Sequence, residues 1–313
     1  MKKFLKILLV LVIMGLIILG CVWSYNYFTK EEKKSKNDDI KKYSTEPIFN
    51  VENYPRIDGS TATIPLSNAF KKAFTNNKET EVKHNTTHNA YVNLIEGNTD
   101  IILVTYPSEE EFELARNAGI ELEIIPVVNE GFVFFVNENN PVKSLTTEQI
   151  RKIYSGKIKN WKELGGNDNE IIPYQRELNS GSQSGMLKLV MKDTPIMEAR
   201  KENIIEGMQA IVNLVSDYDN GENSIGYSYY YYATTMYDDI DSSVTDRIRF
   251  VAVDGVEPSA KTIQDGTYPI RTAYYIVINK AEKENSDVRK LVNTMLSDWG
   301  QDVAEEAGYV SIK

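Results

Sequence analysis

The chain has 313 residues, 42% of them hydrophobic, enough for one large or two modest domains with a sizeable core. Its formal net charge of −10 at pH 7 argues against sequence-independent binding of nucleic acid. A single cysteine excludes an internal disulfide, and the sequence offers no zinc-ligand set, Walker loop or basic stripe with interleaved aromatics.

Lys2, Lys3 and Lys6 precede an uninterrupted apolar run over residues 7–23. Positive residues ahead of an apolar core mark an export signal, and the run is also near the short limit for a spanning helix. Two readings stay open for this segment, 1–23. Cys21 follows Ile18-Leu19-Gly20, which is similar to the lipobox of bacterial lipoproteins and predicts cleavage before a lipid-bearing Cys21. Alternatively the run stays as an uncleaved anchor, with Trp23, Tyr25, Tyr27 and Phe28 as an interfacial aromatic belt. Either way the rest of the chain lies on the extracytoplasmic face of the cell membrane. Residues 24–53 are charged and poor in large apolar groups, which predicts a solvated tether.

From Tyr54 onward, strand and helix patterns alternate. A short strand near 55–57 leads into the small-residue turn Asp58-Gly59-Ser60-Thr61-Ala62-Thr63-Ile64-Pro65 and a helix over 66–74. A second polar helix start, His84-Asn85-Thr86-Thr87-His88-Asn89-Ala90, opens a helix that closes at Gly97. Ile101-Ile102-Leu103-Val104 is fully apolar and predicts a buried parallel strand. A helix over 110–118 and strands over 120–128 and 131–136 follow.

In the second block, Thr146 and Gln149 have the spacing of a capping box, and the helix they open ends in the glycine-rich stretch 154–166. After a strand at 171–173, Arg176 stands four residues ahead of Ser180-Gly181-Ser182, and the chain then turns apolar and helical from Met186. Free N–H groups of a first helical turn, the positive end of its dipole and a guanidinium fork are the parts of an oxyanion site. A helix over 204–215 comes next, then a strand from Ser224 into the cluster Tyr229-Tyr230-Tyr231-Tyr232, read as a core or interface wall. Strands over 248–253 and 272–279 and a closing helix over 288–307 complete the chain. The alternation predicts an open α/β sheet with its ligand at the carboxyl ends of the strands. His84 and His88 have the spacing of a metal pair, but no third ligand lies near and no metal or other cofactor is expected. Gly181-Ser182-Gln183-Ser184-Gly185 lacks the nucleophile-elbow spacing and neither histidine is close in sequence, so catalysis is not expected.

Gly59-Ser60-Thr61-Ala62-Thr63-Ile64-Pro65-Leu66, Ile153-Tyr154-Ser155-Gly156-Lys157-Ile158-Lys159-Asn160-Trp161, Arg176 with Ser180-Gly181-Ser182, and Ser224-Ile225-Gly226-Tyr227 occur in that order. In this the chain resembles, from about Tyr54 to its end, the phosphate-binding proteins of bacterial phosphate ABC transporters, exported proteins of the type II periplasmic-binding-protein fold. The resemblance implies two Rossmann-like α/β lobes joined by crossing hinge strands, 54–133 plus 266–313 and 134–265, closing on one anion. It implies a membrane-tethered solute-binding protein that captures inorganic phosphate or a related oxyanion and delivers it to an ABC permease. The alternative is a membrane-anchored anion sensor or scaffold using the same fold with a different oxyanion or no ligand. Carried over by position, Thr63 and Ile64 would offer backbone N–H groups, Thr63 its hydroxyl as well, and Thr87 would stand for a ligand serine. Arg176, Ser180, Gly181 and Ser182 would hold the anion from the other lobe. Thr105 stands where the family has an aspartate that accepts the proton of bound phosphate, which implies weaker discrimination against sulfate unless Asp58 or Glu177 replaces it.

Overall fold

The computed structural model describes residues 47–313 apart from 78–80, 179, 218–220, 237–243 and 245. The expected signal or anchor over 1–23, Cys21 and most of the tether over 24–53 lie outside the described residues. Among the described residues no helix is long and apolar enough to cross a membrane. The folded body begins at Ile48, ahead of Tyr54. Ile48 and Phe49 donate their N–H groups to Phe74 O at 2.9 and 3.2 Å, and the Phe49 ring is buried edge-on against Tyr54.

The main sheet starts with β1 (Ile57–Gly59), parallel to β2 (Ile101–Val104). β2 is a run of four buried apolar residues, the pattern of a strand covered on both faces. The longest strand, β3 (Leu122–Asn137), changes partners partway along its 16 residues. Its first part pairs with β11 (Arg271–Asn279), ending at Gly131 opposite Arg271, and β11 is also antiparallel to β2. From Phe132, opposite Tyr229, β3 pairs instead with β8 (Ser224–Tyr229), to which β5 (Ile172–Pro173) is parallel. β9 (Ile248–Phe250) pairs with the end of β3. The order is thus β1-β2-β11-β3-β8-β5, a mixed sheet. Two short parallel ribbons accompany it, β4 (Ser144–Leu145) with β10 (Ala252–Val253), and β6 (Gln175–Arg176) with β7 (Ile204–Ile205).

Helices cover the sheet. α1 (Ile64–Thr75) buries Leu66, Phe70 and Phe74, spaced for one face, and Phe74 meets Trp299 edge-on. Replacing either buried phenylalanine by alanine would cost about 3–5 kcal/mol. α2 (Thr87–Ile95) and α3 (Glu109–Asn117) pack together, α3 starting at a capping box between Ser108 and Glu111. α4 (Thr147–Tyr154) carries the predicted box, with Gln149 N–H on Thr146 Oγ1 at 3.1 Å. α5 (Gly181–Gly185) runs directly into a π-helical turn, Met186–Met191. α6 (Met208–Ser216) and α7 (Ala260–Gln264) precede α8 (Asp287–Leu296) and α9 (Asp298–Glu306).

Three expectations change. The strands expected over 120–128 and 131–136 are one strand, because the polar step Asn129-Glu130-Gly131 continues the ladder instead of turning. Residues 204–205 are the strand β7 rather than helix, and Gly207, at φ 76°, starts α6. The single closing helix is two, since Ser297 is extended and its Oγ takes the Gly300 N–H at 3.2 Å.

Candidate functional site

Glycine and hydroxyl residues at strand ends build one cavity of about 560 Å³. β1 ends at Gly59, and a 3-10 turn, Thr61–Thr63, separates it from α1. Ser60, Thr61 and Ala62 line the cavity. The first N–H groups of such a turn have no partner within it, so those of Thr61 and Ala62 are the ones on offer. Thr63 and Ile64, expected in this role, do not line the cavity. Thr63 N–H donates to Ser60 O at 3.1 Å and its hydroxyl to Leu103 O at 2.6 Å, while Ile64 N–H is taken by Thr61 O. The extra turn moves the free donors back along the chain.

The second helix start is held by Asp58, which accepts Asn85 N–H at 2.7 Å, Asn85 Nδ2 at 2.9 Å and Asn93 Nδ2 at 2.7 Å. Burial alone would raise the Asp58 carboxyl, but these bonds and that of Gly59 N–H outweigh it and hold it below the usual carboxylate range. Asp58 is therefore turned away from the cavity and braces its wall. Thr86 takes φ 73° immediately before α2, a value that costs a non-glycine residue about 1–3 kcal/mol. That turn delivers Thr87 and His88 to the cavity. His88 Nδ1 lies 2.8 Å from Glu111 Oε1, whereas His84 Nδ1 faces Ser60 O at 2.8 Å, so the two histidines serve different partners.

Thr105, at the end of β2, also lines the cavity, and its Oγ1 is buried without a hydrogen-bond partner among the described residues. A Cβ on Gly181 would stand 2.8 Å from both Thr105 Oγ1 and Thr87 Oγ1, so two hydroxyls and a glycine converge at one point. Gly181 opens α5 behind the cap Ser180, whose Oγ accepts Gln183 N–H at 3.2 Å. Ser180, Gly181 and Ser182 all line the cavity.

Arg176 reaches it from β6. Its Nε donates to Ile205 O at 2.9 Å and its Nη1 to Ser182 Oγ at 3.3 Å, so the β6–β7 ribbon aims the guanidinium. Its backbone N–H donates to Gln183 Oε1 and to the Tyr227 hydroxyl, both at 3.0 Å, which ties the strand to α5 and β8. Burial is the main influence on Arg176 and lowers its pKa, the mark of a desolvated cation. Among the described lining residues Arg176 is the permanent cation, Glu177 the carboxylate and His88 the titratable base. Tyr229, Tyr232 and Tyr274 form an aromatic wall, and Tyr229 donates its hydroxyl to Gly181 O at 3.0 Å.

The cavity thus brings together Thr87, Thr105, Arg176, Ser180, Gly181 and Ser182 of the sequence-derived set and leaves out Thr63 and Ile64. Sequence reasoning missed the cavity roles of Thr61, Ala62 and His88, although all three lie within the quoted helix starts. Ile205 carries no sequence signal, since a backbone carbonyl does the work. Neutral donors around a single buried cation can hold a small oxyanion without a large positive field.

The profile of the family described as the PBP superfamily domain matches residues 52–306. The chain is 28% identical over 268 residues to the phosphate-binding protein PstS of Staphylococcus saprophyticus, covering 82% of this chain and 79% of that one. It is 27% identical over 216 residues to PstS of Bacillus subtilis, covering 69% of this chain and 64% of that one. A phosphate ABC transporter substrate-binding protein from Clostridium perfringens, solved with bound phosphate, aligns at a TM-score of 0.62 and 28% identity over 82% of this chain and 98% of that chain. An ABC-type phosphate transport receptor from Vibrio cholerae shares the fold at a TM-score of 0.60 and 24% identity, again over 82% and 98%. The resemblance drawn from the motifs and the α/β fold expected from it are borne out. The profile match spans most of the sequence, and the chain belongs to the PBP superfamily.

Proposed function

We propose that the protein is an extracytoplasmic solute-binding protein that captures inorganic phosphate between two lobes and delivers it to an ABC permease. The lobes are 54–133 plus 266–313 and 134–265, and β3 runs from the first into the second. The apolar N-terminal run, or a lipid on Cys21, tethers the protein to the membrane. Thr87 and Thr105 hold the anion from one lobe. Arg176, Ser180, Gly181 and Ser182 hold it from the other, with Thr61 and Ala62 in place of Thr63 and Ile64 as backbone donors. The protein binds and hands over its ligand and performs no chemistry on it.

The observation that carries this reading is the meeting of Thr87 Oγ1, Thr105 Oγ1 and Gly181 at one point in the cavity that Arg176 lines. A buried hydroxyl with no partner costs about 1–3 kcal/mol, and an anion oxygen at that point relieves the cost at Thr105. Titration calorimetry with phosphate tests it. The wild-type chain is expected to bind, and Arg176→Ala to bind at least about 100-fold more weakly, because a desolvated charge-assisted contact is lost. Unchanged affinity in a folded Arg176→Ala variant would remove Arg176 from the site.

A further inference from the structure

We propose that His88, its proton placed by Glu111, is a specificity-determining residue of the anion site: neutral, it accepts the proton of an oxyanion such as hydrogen phosphate, and protonated, it admits a fully ionised one such as sulfate. This deepens the phosphate-binding reading and rests on it.

The argument starts at Glu111. Its side chain is buried, and its Oε2 accepts the Ser108 N–H at 2.7 Å as well as the Ser108 hydroxyl. A carboxylate fixed by two donors on one oxygen is an acceptor, so the proton in the 2.8 Å contact between its Oε1 and His88 sits on Nδ1. The other ring nitrogen, Nε2, is then the variable one. It accepts when the ring is neutral and donates when the ring is charged.

His88 occupies the cavity wall next to Thr87, whose hydroxyl belongs to the convergence point. Glu111 from α3 contacts it directly, and the charged and titratable groups that line the same cavity are Arg176, Glu177, Tyr229, Tyr232 and Tyr274. Burial raises the Tyr229 and Tyr274 phenols, so both stay protonated and are poor acceptors for an anion's proton. Glu177 is solvent-exposed and its influence is screened. The lining hydroxyls can donate or accept at any pH, and His88 is the lining group whose role changes with pH. A fully ionised anion gains from a protonated His88 and finds only a lone pair on a neutral one.

Equilibrium dialysis of the full-length chain with radiolabelled phosphate and radiolabelled sulfate, at about pH 8 and about pH 5.5, tests this on wild type, His88→Gln and His88→Asn. Sulfate keeps its charge over that range, so its affinity reports on the protein. Wild-type sulfate affinity is expected to rise about tenfold or more on acidification and to stay level in both variants. At the higher pH both variants should bind phosphate about tenfold more weakly than wild type. A purely structural His88–Glu111 pair would leave the pH response intact, and that response persisting in either folded variant overturns the proposal. Should neither variant fold, the nitrogen resonances of ¹⁵N-labelled His88 in the wild-type chain decide. At one intermediate pH, a ring that is neutral with phosphate and protonated with sulfate supports it, and the same state with both overturns it. A wild-type chain that binds neither anion overturns the phosphate reading and this one together, whereas binding without the pH response overturns this one alone.

Discussion

Gly181 is where a single added methyl group would be felt most directly by a bound anion. Its Cβ would lie 2.8 Å from Thr87 Oγ1 and from Thr105 Oγ1, closer than packed atoms tolerate. The threonines are β-branched and stiff, so they yield by shifting their backbones rather than by turning away. Gly181→Ala is therefore expected to weaken phosphate binding about 10- to 100-fold while costing only about 1–3 kcal/mol of stability, the range for modest overpacking. Calorimetry with phosphate, paired with urea unfolding of the same samples, separates the two. A large loss of stability with normal affinity would mean that the glycine serves packing and not the ligand. The position was legible from the sequence, because Ser-Gly-Ser behind an arginine has the form of an anion-binding helix start. The reason for the glycine was not, since Thr87 comes from the start of α2 and Thr105 from the end of β2, both distant in sequence.

At the scale of elements, the cavity wall depends on how α2 is started. Asp58 gathers the Asn85 N–H, both asparagine amides and Gly59 N–H on one carboxylate, so it fixes β1 to the turn that presents Thr87. Asp58→Ala leaves those donors unpaired, and the expected cost is about 3 kcal/mol at neutral pH, measured by urea unfolding. The folded carboxyl sits below its usual value, so this contribution is present above the ordinary carboxylate range and disappears as pH falls through the folded value. The gap between wild type and variant should accordingly close on acidification. A gap that stays constant with pH would assign the loss to packing instead. Elements with strong local signals were readable. β2 is four apolar residues and α4 opens on a capping box, and both formed where expected. The unreadable ones depend on distant partners. Asn129-Glu130-Gly131 resembles a turn in isolation, but Asn129 N–H is taken by Val310 O at 2.7 Å and the strand runs on. Ile204 and Ile205 fit a helical period, yet pairing with Gln175 and Arg176 makes them a strand.

Across the whole molecule, β3 is the strand that both parts of the sheet share, and Glu130 lies two residues before Phe132, where the partner changes. Its carboxyl is fully buried and accepts Gly131 N–H at 2.8 Å, with Tyr231 N–H at 3.3 Å from the segment that leaves β8. Burial pushes its pKa up to about 8, against the pull of those N–H groups. An acid raised in the folded state binds its proton there while the unfolded chain has already released it. Stability from this group is thus full below the unfolded value near 4.5, declines as pH rises, and levels off above about 8. The slope inside that window approaches about 1.4 kcal/mol per pH unit. Glu130→Gln keeps the shape and the acceptor oxygen but removes the titration. The unfolding free energy of the variant minus that of wild type should therefore climb by roughly 2–4 kcal/mol between about pH 5 and pH 8. Taking the difference cancels the contribution of the acidic surface, which titrates alike in both proteins. Urea unfolding at four pH values measures it. Parallel curves would mean that Glu130 keeps its charge at the crossover, and that the strand common to both parts of the sheet carries a buried anion at neutral pH rather than a neutral acid.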